Sequence, residues 1–181
     1  AIVAIILGMG LPTTAAYLIL ATVITPALTE MGIPLLTAHM FVFFYGCLST
    51  ITPPVALAAY VAAGIAGADI NKVGWTAFRY GLTTFILPFM FVYGPSLLMQ
   101  GSTIEIIVTV AMAVFGVYVI ASGLVGYLKG PIPLWLRALL FFAGGCMIMP
   151  GLVTDGIGIA VFAASLLYIS LKAKKTGKMA V

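Results

Sequence analysis

The chain has 181 residues, of which 64% are apolar and 7% charged, against about 45–50% apolar and about 25% charged in an average globular protein. So few ionic groups cannot cover a water-facing surface of this size, which excludes an ordinary soluble fold and makes lipid the solvent. The net charge of +4 comes largely from the tail lysines Lys172, Lys174, Lys175 and Lys178, the pattern of a cytoplasmic topology anchor rather than of a nucleic-acid patch.

The charges are clumped, and the intervals between them are long enough for roughly six membrane-embedded elements at about 20 apolar residues per span. The fold class is therefore an all-α integral membrane protein. Ala1 is not an initiator Met, and the residues before Gly8 are apolar without the basic flank of a secretory signal, so a longer chain with an N-terminal remainder is expected. Cys47 and Cys146 lie in apolar stretches without CxxC spacing and read as buried thiols.

In chain order, the first interval is interrupted by Gly8-Met9-Gly10-Leu11-Pro12-Thr13-Thr14. Gly is conformationally permissive and Pro removes a donor, while Pro12 suits the start of a new helix. A short helix, an unwound link and a second helix over about Thr13–Leu28 follow. The next interval, Met31 to Ala68, is too long for one span and too short for two plus a loop. It reads as a re-entrant hairpin with arms Leu35–Leu48 and Val55–Ala66 about a tip of Ser49-Thr50-Ile51-Thr52-Pro53-Pro54. Each arm would be about 20 Å long against a hydrocarbon core of about 30 Å, leaving the tip at membrane depth.

A span over about Val73–Leu98, kinked near Pro88, and a cleaner span over Thr103–Leu128 come next. Leu134–Met149 and Gly156–Leu171 read as a short hairpin turning at Pro150 to Gly156. If both cross, Lys129, Arg137, Lys72, Arg79 and the tail share the cytoplasmic side, from which the re-entrant hairpin would enter.

Backbone groups freed by a broken helix must be buried in protein or line a wet cavity, and paired discontinuous helices point to a transporter's midplane site. The candidate substrate and sodium residues are therefore Gly8, Gly10, Pro12, Thr13 and Thr14 in the first break, and Ser49, Thr50, Thr52, Pro53 and Pro54 in the second. Loose carbonyls and hydroxyls make an oxygen shell for sodium, with Thr52 as its named ligand, and exposed helix N-termini favour an anion. Glu30, Asp69, Lys72, Arg79, Glu105 and Asp155 sit near element ends and read as solvated. His39 reads as a packing or hydrogen-bonding residue, and Trp75 and Trp135 as interfacial anchors. No residue set suggests a metal-ligand cluster or hydrolytic chemistry, so the chain reads as no enzyme and without a cofactor beyond a coupling sodium.

The stretch Gly8-Met9-Gly10-Leu11-Pro12-Thr13-Thr14-Ala15-Ala16-Tyr17, with Thr52-Pro53-Pro54-Val55-Ala56-Leu57-Ala58-Ala59-Tyr60 and Ala62-Ala63-Gly64-Ile65-Ala66, resembles the tripartite ATP-independent periplasmic (TRAP) transporters. The likeness is to the large membrane subunit, more closely to the form fused with the small one. It covers roughly residues 1–98, with 99–181 as a C-terminal membrane extension. The resemblance implies an elevator-type, sodium-driven importer of organic acids in a bacterial or archaeal plasma membrane, fed by a periplasmic binding protein. It also implies that the Thr-Pro-Pro tip and the unwound link form the sodium and substrate sites. Many unfused large subunits have an acidic residue where Pro12 stands and Gly where Ala56 stands. A carboxylate ligand at Pro12 is thus impossible, and any cation there relies on carbonyls and on Thr13 or Thr14. The competing reading is a non-transporting membrane scaffold whose breaks are packing kinks.

Overall fold

The structure, a computed structural model, describes residues 1–128, 130–149 and 151–175, without the side chains of Leu152 and of residues 172–175. Lys129, Pro150 and Lys178, each invoked above, lie outside the described residues. The elements of the described residues are helices: α1 (Ile2–Gly8), α2 (Thr13–Glu30), α3 (Leu35–Ser49), α4 (Leu57–Ala66), α5 (Ile70–Gly81), α6 (Leu87–Tyr93), α7 (Thr103–Val125), α8 (Leu134–Ile148) and α9 (Leu152–Lys175). Among the described residues, three helical stretches are long and apolar enough to cross a bilayer: Thr13–Glu30, Thr103–Val125 and Val153–Leu171. The chain forms two compact units, Ala1–Val92 and Tyr93–Val181.

The first unit is built on α1, α2 and α3, whose shared core is Ala4, Leu20, Phe41, Val42, Tyr45 and Leu48. Helix α1 packs on α2, and a Cβ on Gly8 would lie 3.6 Å from that of Ala16. The chain therefore folds back on itself at Met9–Pro12. Helices α3 and α4, by contrast, meet only at their junction, where Ala58 N–H donates to the Thr50 carbonyl (3.0 Å), and α4 packs on α5 instead. The first break has the short helix, unwound link and second helix expected of it. Those two helices form a hairpin, and the second break separates two helices that do not lie against one another.

The expected span from Val73 to Leu98 is corrected to α5, a 3-10 turn at Leu82–Phe85, α6, and a second 3-10 turn at Pro95–Leu98. Pro88 explains the first interruption. Its missing N–H and its ring act on the carbonyl four residues back, which is that of Thr84, inside the 3-10 turn. Tyr45 anchors the turn from α3 by donating from its hydroxyl to the Phe85 carbonyl (2.7 Å).

The second unit packs α8 between α7 and α9. Glycines set how closely these helices approach. A Cβ on Gly116 would lie 2.8 Å from the Gly144 carbonyl oxygen, one on Gly144 would lie 2.6 Å from the Gly116 oxygen, and one on Gly158 would lie 2.8 Å from the Ala143 oxygen. Small residues at such contacts let helix backbones meet where lipid offers no hydrophobic gradient.

Asp69 and Glu105, at the starts of α5 and α7, act as caps. Asp69 accepts from Lys72 N–H (2.8 Å). Ser102 and Glu105 form a reciprocal capping box at the start of α7, which satisfies two orphan donors of its first turn. Helix α9 begins at Leu152, four residues before the expected Gly156. Asp155 lies in its first turn, half-buried rather than solvated and with an Oδ1 that has no hydrogen-bond partner among the described residues, while Thr154 donates to Gly151 O (2.7 Å) and Met149 O (2.9 Å). Cys47 and Cys146 are free thiols, half-buried rather than buried.

Arg137, read from the sequence only as a topology charge, closes the end of α7. Its Nε donates to Gly123 O (2.8 Å) and its Nη2 to Leu124 O (2.6 Å). A cation at a helix C-terminus also complements the macrodipole. Gly126 makes room for it: φ is +78°, and a Cβ there would lie 2.5 Å from Arg137 Nη2. Arg137→Leu should cost about 2 kcal/mol by stranding two carbonyls. Thermal unfolding in detergent should show this as a lower midpoint, and an unchanged midpoint would mean that the cap is idle.

Candidate functional site

The two breaks are far apart in sequence and adjacent in space. Ser49, fully buried, shares its hydroxyl proton between the Gly8 carbonyl (2.9 Å) and the Gly46 carbonyl (2.8 Å). A Cβ on Gly8 would lie 2.7 Å from Ser49 Oγ, which makes glycine the residue that permits this contact. Further out, a Cβ on Gly10 would lie 3.5 Å from Val55 Cγ1. Gly10 has φ of +79°, a backbone conformation suited to glycine, and this supplies the turn between α1 and α2.

The hydroxyls beyond α3 are fixed by its carbonyls. Thr50 Oγ1 donates to Cys47 O (2.7 Å) and Thr52 Oγ1 to Leu48 O (2.6 Å). Thr52 is buried and Thr50 half-buried. A hydroxyl whose proton is committed to a carbonyl still has lone pairs to offer, and hard cations take oxygen ligands of this kind. The Pro53–Pro54 peptide is cis, and the Tyr60 hydroxyl donates to the Pro54 carbonyl, tying the tip to α4.

Several carbonyls are already engaged. Gly8 O accepts from Leu11 N–H (3.3 Å) as well as from Ser49, so both of its lone pairs are in use and it is a poor cation ligand. Leu48 O likewise accepts from Ile51 N–H (3.1 Å) and from Thr52. The remaining oxygen candidates are the Thr50 and Thr52 hydroxyls and the peptide carbonyls of Met9–Leu11 and Thr52–Pro53.

Pro12 is the N-cap of α2 and brings no side-chain hydrogen bond to that end, and α4 starts at Ala56 without a side-chain cap. Ala56 is fully buried. Thr13 and Thr14 are exposed and line an open cleft of about 440 Å³ with Tyr17, His39, Met40 and Phe43. In it His39 Nδ1 lies 3.0 Å from the Tyr17 hydroxyl, a hydrogen-bonding role as the sequence suggested. Gly8, Gly10, Ser49, Thr50, Thr52, Pro53 and Pro54 thus belong to one junction, while Thr13 and Thr14 open onto the His39 cleft. The sequence reading missed Tyr60 and Val55. Their signal was position alone, Val55 directly after the Pro pair and Tyr60 one turn into α4.

Residues 1–106 match the family model described as Tripartite ATP-independent periplasmic transporter, DctM component. The chain belongs to that family. No curated protein and no solved structure gives a match. The DctM match covers the whole first unit and reaches the first turn of α7, so both breaks fall within it. The family is that of the TRAP membrane permease, and with three helices of spanning length and apolarity the chain is a multi-pass membrane protein.

Proposed function

We propose that this DctM-family chain carries the sodium and substrate site of a permease that couples inward sodium movement to uptake of an organic acid delivered by a periplasmic binding protein. The observation that supports this best is the Gly8–Ser49 hydrogen bond, which sets an unwound link and a hydroxyl-rich tip side by side in an otherwise apolar protein. The Thr52 hydroxyl and neighbouring carbonyls supply neutral oxygens for a cation. The uncapped N-termini of α2 and α4 supply positive dipole ends for a carboxylate. Sodium lowers the cost of holding the negative substrate at depth, and by linkage each ligand raises the affinity of the other by the same factor. In this reading the junction of the two breaks lies within the membrane, and residues 1–98 form part of the transport unit while 99–181 form an added membrane segment.

The test is uptake of radiolabelled organic acids into proteoliposomes holding the full-length transporter and its binding protein, with and without an inward sodium gradient. Thr52→Ala should raise the sodium concentration needed for half-maximal uptake by about tenfold, the equivalent of about 1.4 kcal/mol. Thr52→Ser, which keeps the oxygen, should stay near the native value. Identical sodium dependence in all three proteins would remove Thr52 from the cation site.

A further inference from the structure

Beside the junction of the two breaks, α2 and α3 frame the cleft lined by Thr13, Thr14, Tyr17, His39, Met40 and Phe43. Thr13 and Tyr17 stand four residues apart on α2, and His39 and Phe43 four apart on α3, so each helix gives the cleft one stripe. Tyr17 ties the stripes together. Its ring meets that of Phe43 edge-on with centroids 5.9 Å apart, and its hydroxyl lies 3.0 Å from His39 Nδ1. At about 440 Å³ the space is within the range of small-molecule sites, about 300–1,000 Å³.

The chemistry of the cleft is neutral and of two kinds. The Thr13 and Thr14 hydroxyls have no hydrogen-bond partner among the described residues. A neutral imidazole whose Nδ1 accepts from Tyr17 carries its proton on Nε2, and that nitrogen too is without a partner among them. Met40 and Phe43 supply apolar surface. No fixed charge enters: α1 and α3 contain no Asp, Glu, Lys or Arg, and Glu30 ends α2 at the opposite terminus from Thr13. Polar groups left open in a membrane protein turn to its interior or to a wet cavity rather than to hydrocarbon. The open hydroxyls and imidazole therefore mark this cleft as a place for a polar ligand, not for an acyl chain.

We propose, resting on the transport reading above, that this cleft holds the body of the transported acid and selects a monocarboxylate. The single carboxylate lies at the uncapped start of α2, beside Thr13 and Thr14. An apolar body packs on Met40 and Phe43, and a hydroxyl or carbonyl oxygen at the far end accepts a hydrogen bond from His39. A second carboxylate would be buried here without a cation to pair with it, which is costly. His39 is the residue that reads the substrate. Tyr17 is a positioning residue, which holds the imidazole in one tautomer and orientation.

The experiment measures binding of tritiated 4-hydroxyphenylacetate to the purified full-length transporter in sodium and in potassium, with phenylacetate and succinate as competitors. The binding protein is omitted, so that its own selectivity does not enter. In sodium, 4-hydroxyphenylacetate should bind about fivefold tighter than phenylacetate, the worth of one hydrogen bond, and succinate about tenfold or more weaker than either. His39→Ala should bring the two monocarboxylates level, and Tyr17→Phe should shrink the advantage of the hydroxyl. His39→Arg adds the missing cation and should raise the affinity for succinate, a gain that a merely structural role for His39 would not give. Succinate binding as tightly as 4-hydroxyphenylacetate in the parent would overturn the proposal while leaving sodium-coupled uptake of organic acids intact. A hydroxyl advantage that survives His39→Ala would also overturn it. Failure of all three acids to bind in sodium would overturn it together with the reading on which it rests.

Discussion

Gly144→Ala and Gly145→Ala, adjacent substitutions of identical chemistry, should shift stability in opposite directions. At Gly144 the new methyl would lie 2.6 Å from the Gly116 carbonyl oxygen and would collide with Ile120 Cγ1. A backbone oxygen has no rotamer by which to retreat, so α7 and α8 must separate along their whole contact. Overpacking of this kind costs about 1–3 kcal/mol, and the rigid obstacle puts Gly144 at the upper end. At Gly145 a Cβ meets nothing within 4 Å, and Ala in place of a helical Gly gains about 0.5–1 kcal/mol. Thermal unfolding in detergent should therefore give a midpoint below the parent for Gly144→Ala and at or above it for Gly145→Ala. Equal shifts of the same sign would mean that α7 and α8 do not meet at Gly144.

The second large effect is expected at the junction of the two breaks. Gly8→Ala places a methyl 2.7 Å from Ser49 Oγ and 3.1 Å from Ser49 Cβ, which displaces the hydroxyl from the Gly8 carbonyl. Ser49→Ala removes the donor and leaves the Gly8 carbonyl with the Leu11 N–H alone, at about 0.5–1.5 kcal/mol for the lost hydrogen bond. The two changes act on the same contact, so their costs should not add. The double variant loses the Oγ that obstructs the new methyl and should be more stable than the sum of the single losses, by an interaction energy of about 0.5–3 kcal/mol. Sodium-driven uptake measured on the same three proteins would show how far transport follows this contact. Strict additivity of the stability losses would show that Gly8 and Ser49 are independent.

Element boundaries were the most legible part of the fold. Helix α2 was expected over Thr13–Leu28 and runs Thr13–Glu30, α3 was expected over Leu35–Leu48 and runs Leu35–Ser49, and both arms of the second break lie close to their expected limits. Gly and Pro act locally, through φ, a missing donor and a clash within one turn, so their effect can be read without tertiary knowledge. Which helices face one another could not be read this way. Whether α3 folds back on α4 depends on α4 finding Gly74 and its neighbours on α5, a choice between distant partners of equal apolarity. The two breaks were placed where Gly and Pro release backbone from helices, and helices do end there. That Gly8 O and Leu48 O would already be satisfied depended on Ser49 and Thr52 turning their hydroxyl protons inward, which the order of residues does not encode. Arg137 was hidden similarly, because a cation inside an apolar interval gives no hint of which helix end it will close.

The anchoring of the Leu82–Phe85 turn by Tyr45 bears on how force would pass through the first unit. A bend made by proline alone can flex, because the carbonyl it releases has no fixed partner. Here a neighbouring carbonyl in the same turn is held by a phenol that is itself 1% exposed and is packed against Phe41, Phe85 and Phe89. The elbow between α5 and α6 is therefore a braced joint, and a displacement of α3 would carry it along as a lever arm of fixed angle.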